Sequence, residues 1–213
     1  MTIFKPNTIS LSLSQELQKR IFDIIFSSSL LFLIWWFILL IWVLACIDSR
    51  SNGFYFQSRV GRHGKVFKII KIKTMRPISG FQTFVTCHGD PRITILGNFF
   101  RRNKIDEFPQ LWNVLRGDMS FVGPRPDVIG YSDMLNGEDR IILSVRPGIT
   151  GPAQIAYKNE EEILANQVDA VKYNDEIIWP DKVKINCAYI KEYSFLRDLY
   201  YIWKTLEGGK VEY

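Results

Sequence analysis

The longest break from mixed polar and apolar patterning lies near the N-terminus. Residues 21–47 carry one charge, Asp23, and none follows it from Ile24 to Ile47. That run of about 24 residues exceeds the roughly 20 needed to cross a bilayer's hydrocarbon core. It is too long and aromatic for a signal-peptide core, and no A-x-A-like cleavage site follows. Lys19 and Arg20 precede it, and Arg50, Arg59, Arg62 and Lys65 follow, so both flanks are basic. Basic flanks favour the cytoplasmic side. A re-entrant helix returning to its own face meets that pattern; the alternative is a single pass with the N-terminal segment outside. No proline lies between Ile21 and Ile47. Ser27, Ser28 and Ser29 offer only the weaker bend of hydroxyls bonded to their own backbone.

Beyond this run the periods shorten. Phe54–Val60 and Lys65–Lys73 read as two strands about a turn at Gly61–Gly64. Lys71 and Lys73 share one face of the second, Ile70 and Ile72 the other. Residues 76–89 read as a loop. Between Asp106 and Gly117, apolar residues recur at Leu111, Val114 and Leu115, and glycine ends the pattern. Pro109 is tolerated only in a first turn, so this short helix should start close to Asp106 and Glu107. A polar helix is expected around Val128–Ile142, a turn-rich loop over Arg146–Pro152, and a helix start at Glu160-Glu161-Glu162. The last helix is expected from about Tyr189 to Leu206. Its stripe of Phe195, Leu196, Leu199, Ile202, Trp203 and Leu206 suits either a core or a membrane interface.

These elements predict a mixed α/β fold, mostly helical. It comprises an N-terminal membrane-embedded helix, re-entrant or single-pass, a short β-hairpin or small sheet, and amphipathic interfacial helices. Residues 1–18 are expected as an extension, 19–49 as the membrane helix or hairpin, and 50–213 as a domain acting with it as one unit. A length of 213 residues suits one such domain with a sizeable core. The formal net charge of +5 points to an acidic partner: nucleic acid, anionic lipid or a nucleotide. Cys46, Cys87 and Cys187 form no C-x-x-C pair, which indicates neither a zinc site nor a disulfide framework and fits a reducing compartment. His63 and His88 are the only histidines, too few for a His-rich metal site or much prospect of a Ser-His-Asp triad. Any metal would be held by oxygen, which suits Mg²⁺.

The candidate chemistry is concentrated in residues 103–126. Asp106 and Glu107 stand where free N–H groups and the helix dipole favour anions. Pro124-Arg125-Pro126 holds a guanidinium on a stiff backbone. Alone, an Asp at a helix start is a cap and a Pro-Arg-Pro is a turn. Their density, with Arg101 and Arg102 just upstream, points to phosphate chemistry.

The run Ile105-Asp106-Glu107-Phe108-Pro109-Gln110-Leu111, with Gly117-Asp118-Met119-Ser120 and Val122-Gly123-Pro124-Arg125-Pro126, closely resembles the bacterial sugar transferases. These are small monotopic phosphoglycosyl transferases. Lys71-Ile72-Lys73-Thr74-Met75, Asp90-Pro91-Arg92-Ile93-Thr94 and Arg146-Pro147-Gly148-Ile149-Thr150-Gly151 extend the likeness from about Lys19 to Thr205. The resemblance implies a transferase carrying a sugar 1-phosphate from a UDP-sugar to a polyprenol phosphate, such as undecaprenyl phosphate. Asp106 would attack, UMP would leave and a phosphosugar-aspartyl intermediate would form; Glu107, with Asp106, would hold Mg²⁺. Lys71, Arg101, Arg125, Pro124, Pro126 and Arg146 would contact substrate. The product would enter capsule, O-antigen, exopolysaccharide or glycoprotein-glycan assembly. The protein would lie in the bacterial inner membrane with its catalytic domain on the cytoplasmic face. Membrane lipid is an expected partner, nucleic acid is not, and an oligomer stays open. The short chain resembles the branch using N-acetylated amino sugars. Two positions depart from the family: Trp35-Trp36 replace a helix-breaking Ser-Pro, and Gly130 stands where relatives often carry Glu. A basic membrane adaptor without catalysis and a nucleotide-sugar diphosphatase are the alternatives.

Overall fold

The computed structural model describes residues 11–76 and 90–208. It is mostly helical, with two two-stranded sheets. Helix α1 (Leu13–Ser49) starts ahead of Lys19 because Ser12 caps it. The Ser12 hydroxyl accepts from the Gln15 N–H at 3.3 Å, and the Gln15 side chain accepts from the Ser12 N–H at 2.9 Å. Two otherwise unpaired donors are thereby satisfied. No break interrupts the helix at Ser27–Ser29 or at Trp35-Trp36. The Ser27 and Ser29 hydroxyls donate to the Asp23 and Ile25 carbonyls at 2.5 and 2.8 Å without ending it.

This helix is fastened to the remaining chain along its length. Near its start, Arg20 donates through Nη1 and Nη2 to the Val114 and Leu115 carbonyls at 2.7 and 2.8 Å. Leu30, Leu31 and Ile34 pack on the main core, and Ile41 and Ala45 are buried with Ile72 and Phe100. The opposite flank, including Phe32, Leu33, Trp35, Trp36, Leu39 and Leu40, is exposed. The helix is long and apolar enough to cross a membrane, and only 11% of its most apolar window is buried.

Strands β1 (Phe54–Val60) and β2 (Val66–Ile72) form the expected antiparallel hairpin, with Phe54 opposite Ile72 and Val60 opposite Val66. Helix α2 (Ile95–Arg102) begins under a Thr94 cap. A 3-10 turn, Ile105–Glu107, then precedes α3 (Gln110–Arg116), which Gly117 ends at φ 89°. The two carboxylates thus occupy their own turn rather than the first turn of α3. Strands β3 (Ser120–Val122) and β4 (Gly148–Thr150) pair in parallel. Then come α4 (Pro152–Ala156), α5 (Glu160–Ala165), α6 (Ala170–Tyr173), α7 (Trp179–Lys191) and α8 (Phe195–Glu207). Leu111, Val114, Met119 and Val122 lie at the centre of the core.

Two expected helices differ. Over Val128–Ile142 the chain forms 3-10 turns, Ser132–Met134 and Gly137–Ser144. Gly130 and Gly137, at φ 104° and 61°, interrupt any α-helix there. The last helix starts at Phe195 under a Ser194 cap, while Tyr189 belongs to α7. The stripe on α8 divides: Phe195 packs on Phe22 and Ile202 on the core, while Leu196, Leu199, Trp203 and Leu206 are exposed; Asp198 and Tyr201 are buried. Asp198 is held inward because Lys19, Tyr189 and Tyr193 all donate to its carboxylate. Most of the expected loop at 76–89, with Cys87 and His88, lies outside the described residues.

Candidate active site

Three segments bring charged groups together, and a buried amide aligns two of them. Asn113 on α3 is fully buried; its Oδ1 accepts from the Ile70 N–H at 3.0 Å and its Nδ2 donates to the Lys68 carbonyl at 2.8 Å. The side chain therefore pairs with β2 as a further strand would and fixes Lys71 against the turn before α3. Lys71 Nζ donates to Glu107 Oε1 at 2.9 Å, and Arg125 Nη2 stands 3.5 Å from the same oxygen. Pro124 and Pro126, both buried, hold Arg125 from either side.

The neighbouring carboxylates receive opposite treatment. Burial by itself would raise the pKa of Glu107, but Arg125 and Lys71 outweigh it and bring the group down to about 2. Asp106 is 9% exposed, and its Oδ1 is buried without a hydrogen-bond partner. Burial raises its pKa, against Lys71, Arg101 and Lys104, while the Glu107 charge adds to the rise. Opposite shifts on adjacent acids separate a fixed anion from a basic, poorly solvated carboxylate. Lys104 precedes the turn at φ 56°, in the left-handed region uncommon for side-chain-bearing residues.

The resulting cleft is lined by Arg59, Lys71, Glu107, Gln110, Arg125 and Gly148, among others. Arg101, at the end of α2, reaches Asp106 through its charge. Arg146 stands apart from this set. Its Nε donates to the Gly117 carbonyl at 2.9 Å, and its charged neighbours are Arg62, Arg20, Asp23 and Glu16. A second small cleft behind Arg125 contains Asp127, Ser132 and Pro147. Burial raises the Asp127 pKa to about 6, against the Ser132 hydroxyl and Lys182. Arg59, Gln110, Asn113 and Asp127 were not legible as site residues. The available signal was two amides, Gln110 and Asn113, inside an otherwise apolar helical pattern.

Among the described residues no group of three or more His, Cys, Asp and Glu forms a metal cluster. Asp106 and Glu107 still fit Mg²⁺, which is held by one or two carboxylates together with water and phosphate oxygens. The unpaired Asp106 Oδ1 is an oxygen donor of that kind.

Residues 14–209, spanning nearly all of α1 through α8, match the family described as bacterial sugar transferase. The chain belongs to that family. Similar relatives include an uncharacterized sugar transferase of Haemophilus influenzae, 31% identical over 96% of this chain and 43% of the relative. A UDP-glucose:undecaprenyl-phosphate glucose-1-phosphate transferase of Caulobacter vibrioides is 32% identical over 90% of this chain and 69% of the relative. An undecaprenyl-phosphate galactose phosphotransferase of Salmonella typhimurium is 30% identical, covering 90% of this chain and 40% of its own length. This bacterial sugar transferase thus spans less than half of two of these relatives. Two of these three relatives are named for galactose or glucose, and none of the three names carries the N-acetylated amino sugars expected from chain length.

Proposed function

We propose that this bacterial sugar transferase moves a hexose 1-phosphate from a UDP-sugar to undecaprenyl phosphate or a similar polyprenol phosphate. The observation that carries the reading is the buried, unpaired Asp106 Oδ1 beside Glu107, which Lys71 and Arg125 hold ionised. Asp106 attacks the sugar-proximal phosphorus; the bond to the UMP oxygen breaks, and UMP leaves with that electron pair. A phosphosugar-aspartyl group remains. A phosphate oxygen of the polyprenol phosphate then attacks the same phosphorus and displaces the Asp106 carboxylate. Lys71, Arg101 and Arg125 offset the phosphate charge. Asp106 and Glu107 would hold Mg²⁺, which when bound neutralises diphosphate charge.

The exposed apolar flank of α1 and the exposed Leu196, Leu199, Trp203 and Leu206 of α8 support a position of the cleft at a lipid surface, where a soluble anionic donor can meet a lipid acceptor. Attachment of α1 to the catalytic domain from Arg20 to Ala45 favours both ends on one side, the cytoplasmic face of the inner membrane. The product would then serve surface-glycan assembly.

The test is UMP release by detergent-solubilised protein with Mg²⁺ and UDP-glucose or UDP-galactose, with and without polyprenol phosphate. Lipid-dependent release that is lost in Asp106→Asn is expected. Equal release from variant and wild type would return Asp106 to a structural role. Release sustained without lipid would favour the diphosphatase, and binding of anionic lipid without release the adaptor.

A further inference from the structure

Two donors in the cleft are buried without partners. Arg59 gives Nη1 to the Pro126 carbonyl at 3.2 Å and Nη2 to Gln57 Oε1 at 2.7 Å, but its Nε is bonded to nothing. Gln110 is 2% exposed, and its Nε2 is likewise unpaired. Both residues line the cleft holding Lys71, Glu107 and Arg125. A buried N–H without an acceptor weakens a fold, so such groups call for an explanation. Neither nitrogen can accept a hydrogen bond, so the missing partner is an acceptor and not a cation. Arg59, Lys71 and Arg125 face one lining carboxylate, Glu107, so that acceptor is favoured as an anion. The two bonds through its Nη atoms already fix the Arg59 guanidinium, which reduces the ordering lost on binding.

We propose that Arg59 and Gln110 form a phosphoryl subsite. Arg59 Nε–H and Gln110 Nε2–H donate to non-bridging oxygens of one phosphoryl group, whose charge Lys71 and Arg125 offset. The subsite rests on the transferase reading above. Its occupant is a phosphate either of the nucleotide donor or of the lipid acceptor; the recognising chemistry is the same.

Gln110→Met keeps the side-chain volume and removes the unpaired amide, and Arg59→Lys keeps the charge and removes Nε–H. For Gln110→Met, a ligand-free melting temperature equal to or above wild type is expected. Each variant should raise KM for one substrate about 10- to 100-fold, the usual effect of losing a hydrogen bond to a charged group. A rise in the UDP-sugar KM assigns the nucleotide phosphate; a rise in the polyprenol-phosphate KM assigns the lipid phosphate. A lower melting temperature in Gln110→Met, or both KM values within about twofold of wild type, overturns the subsite. Wild type that releases UMP from no donor defeats the transferase reading instead. The subsite is then judged by pyrophosphate, which should raise the melting temperature of wild type more than that of Gln110→Met; equal shifts overturn it.

Discussion

Asp106 and Glu107 share a turn, yet Glu107 makes both ion pairs there and Asp106 Oδ1 makes no hydrogen bond. In Glu107→Gln, Lys71, whose side chain is 17% exposed, loses its anionic partner. A loss of about 3 kcal/mol at pH 7 is expected. The folded pKa of about 2 lies below the ordinary 4.5, so the native state binds fewer protons between these values. Glu107 therefore stabilises fully above pH 4.5, and its contribution is lost as pH falls toward 2. The melting-temperature gap between wild type and Glu107→Gln should narrow over that window; a constant gap would reject the ion-pair account. Asp127 has the opposite sign. Its folded pKa of about 6 lies above 3.8, so stability falls as pH rises between these values. Thermal melts across that range should move progressively in favour of Asp127→Asn. The identity of the Asp-Glu pair was legible in the chain. Their inequality was not, because Lys71 and Arg125 come from distant segments.

At the scale of elements, α1 is tied down by specific contacts at both ends. A Cβ on Gly53 would meet the Trp42 carbonyl at 2.4 Å and Cys46 Sγ at 3.1 Å. Gly53→Ala should therefore cost about 1–3 kcal/mol in a thermal or denaturant melt, as overpacking does. At the other end, Lys19 pairs with the buried Asp198 of α8. Lys19→Met strands that carboxylate and should cost about 3 kcal/mol. Adding Asp198→Asn should recover most of the loss in the same melt, whereas an additive loss would mean the two residues act independently. The hairpin, with strands read at Phe54–Val60 and Lys65–Lys73, was legible because period-two alternation and a glycine-flanked turn are local signals. The polar helix expected near Val128–Ile142 failed because Gly130 and Gly137 take positive φ, which a periodicity count does not weigh.

At the scale of the whole molecule, the catalytic segments and α1 form one body, so helix and cleft should share an orientation toward lipid. Ser14 and Ser58 are both exposed and lie on opposite sides of the apolar run. With native cysteines replaced, Ser14→Cys and Ser58→Cys should both resist an impermeant maleimide in intact cells and react after lysis. Labelling of Ser14→Cys alone in intact cells would instead show a single pass.

The sequence by itself determined the long apolar helix, the hairpin, the glycine stop at Gly117 and the Asp106-Glu107 motif. Each depends on residue type and on neighbours within a few positions. Tertiary structure decided what the chain cannot encode locally. Lys71 reaches Glu107 across 36 positions, and Asn113 reaches the β2 backbone across 43 and 45. Lys19 meets Asp198 across 179 positions, and with that pairing Asp198 faces inward while Leu196, Leu199, Trp203 and Leu206 of α8 stay exposed. Burial and charge depend on which distant groups share a small volume, and only the folded chain brings those groups together.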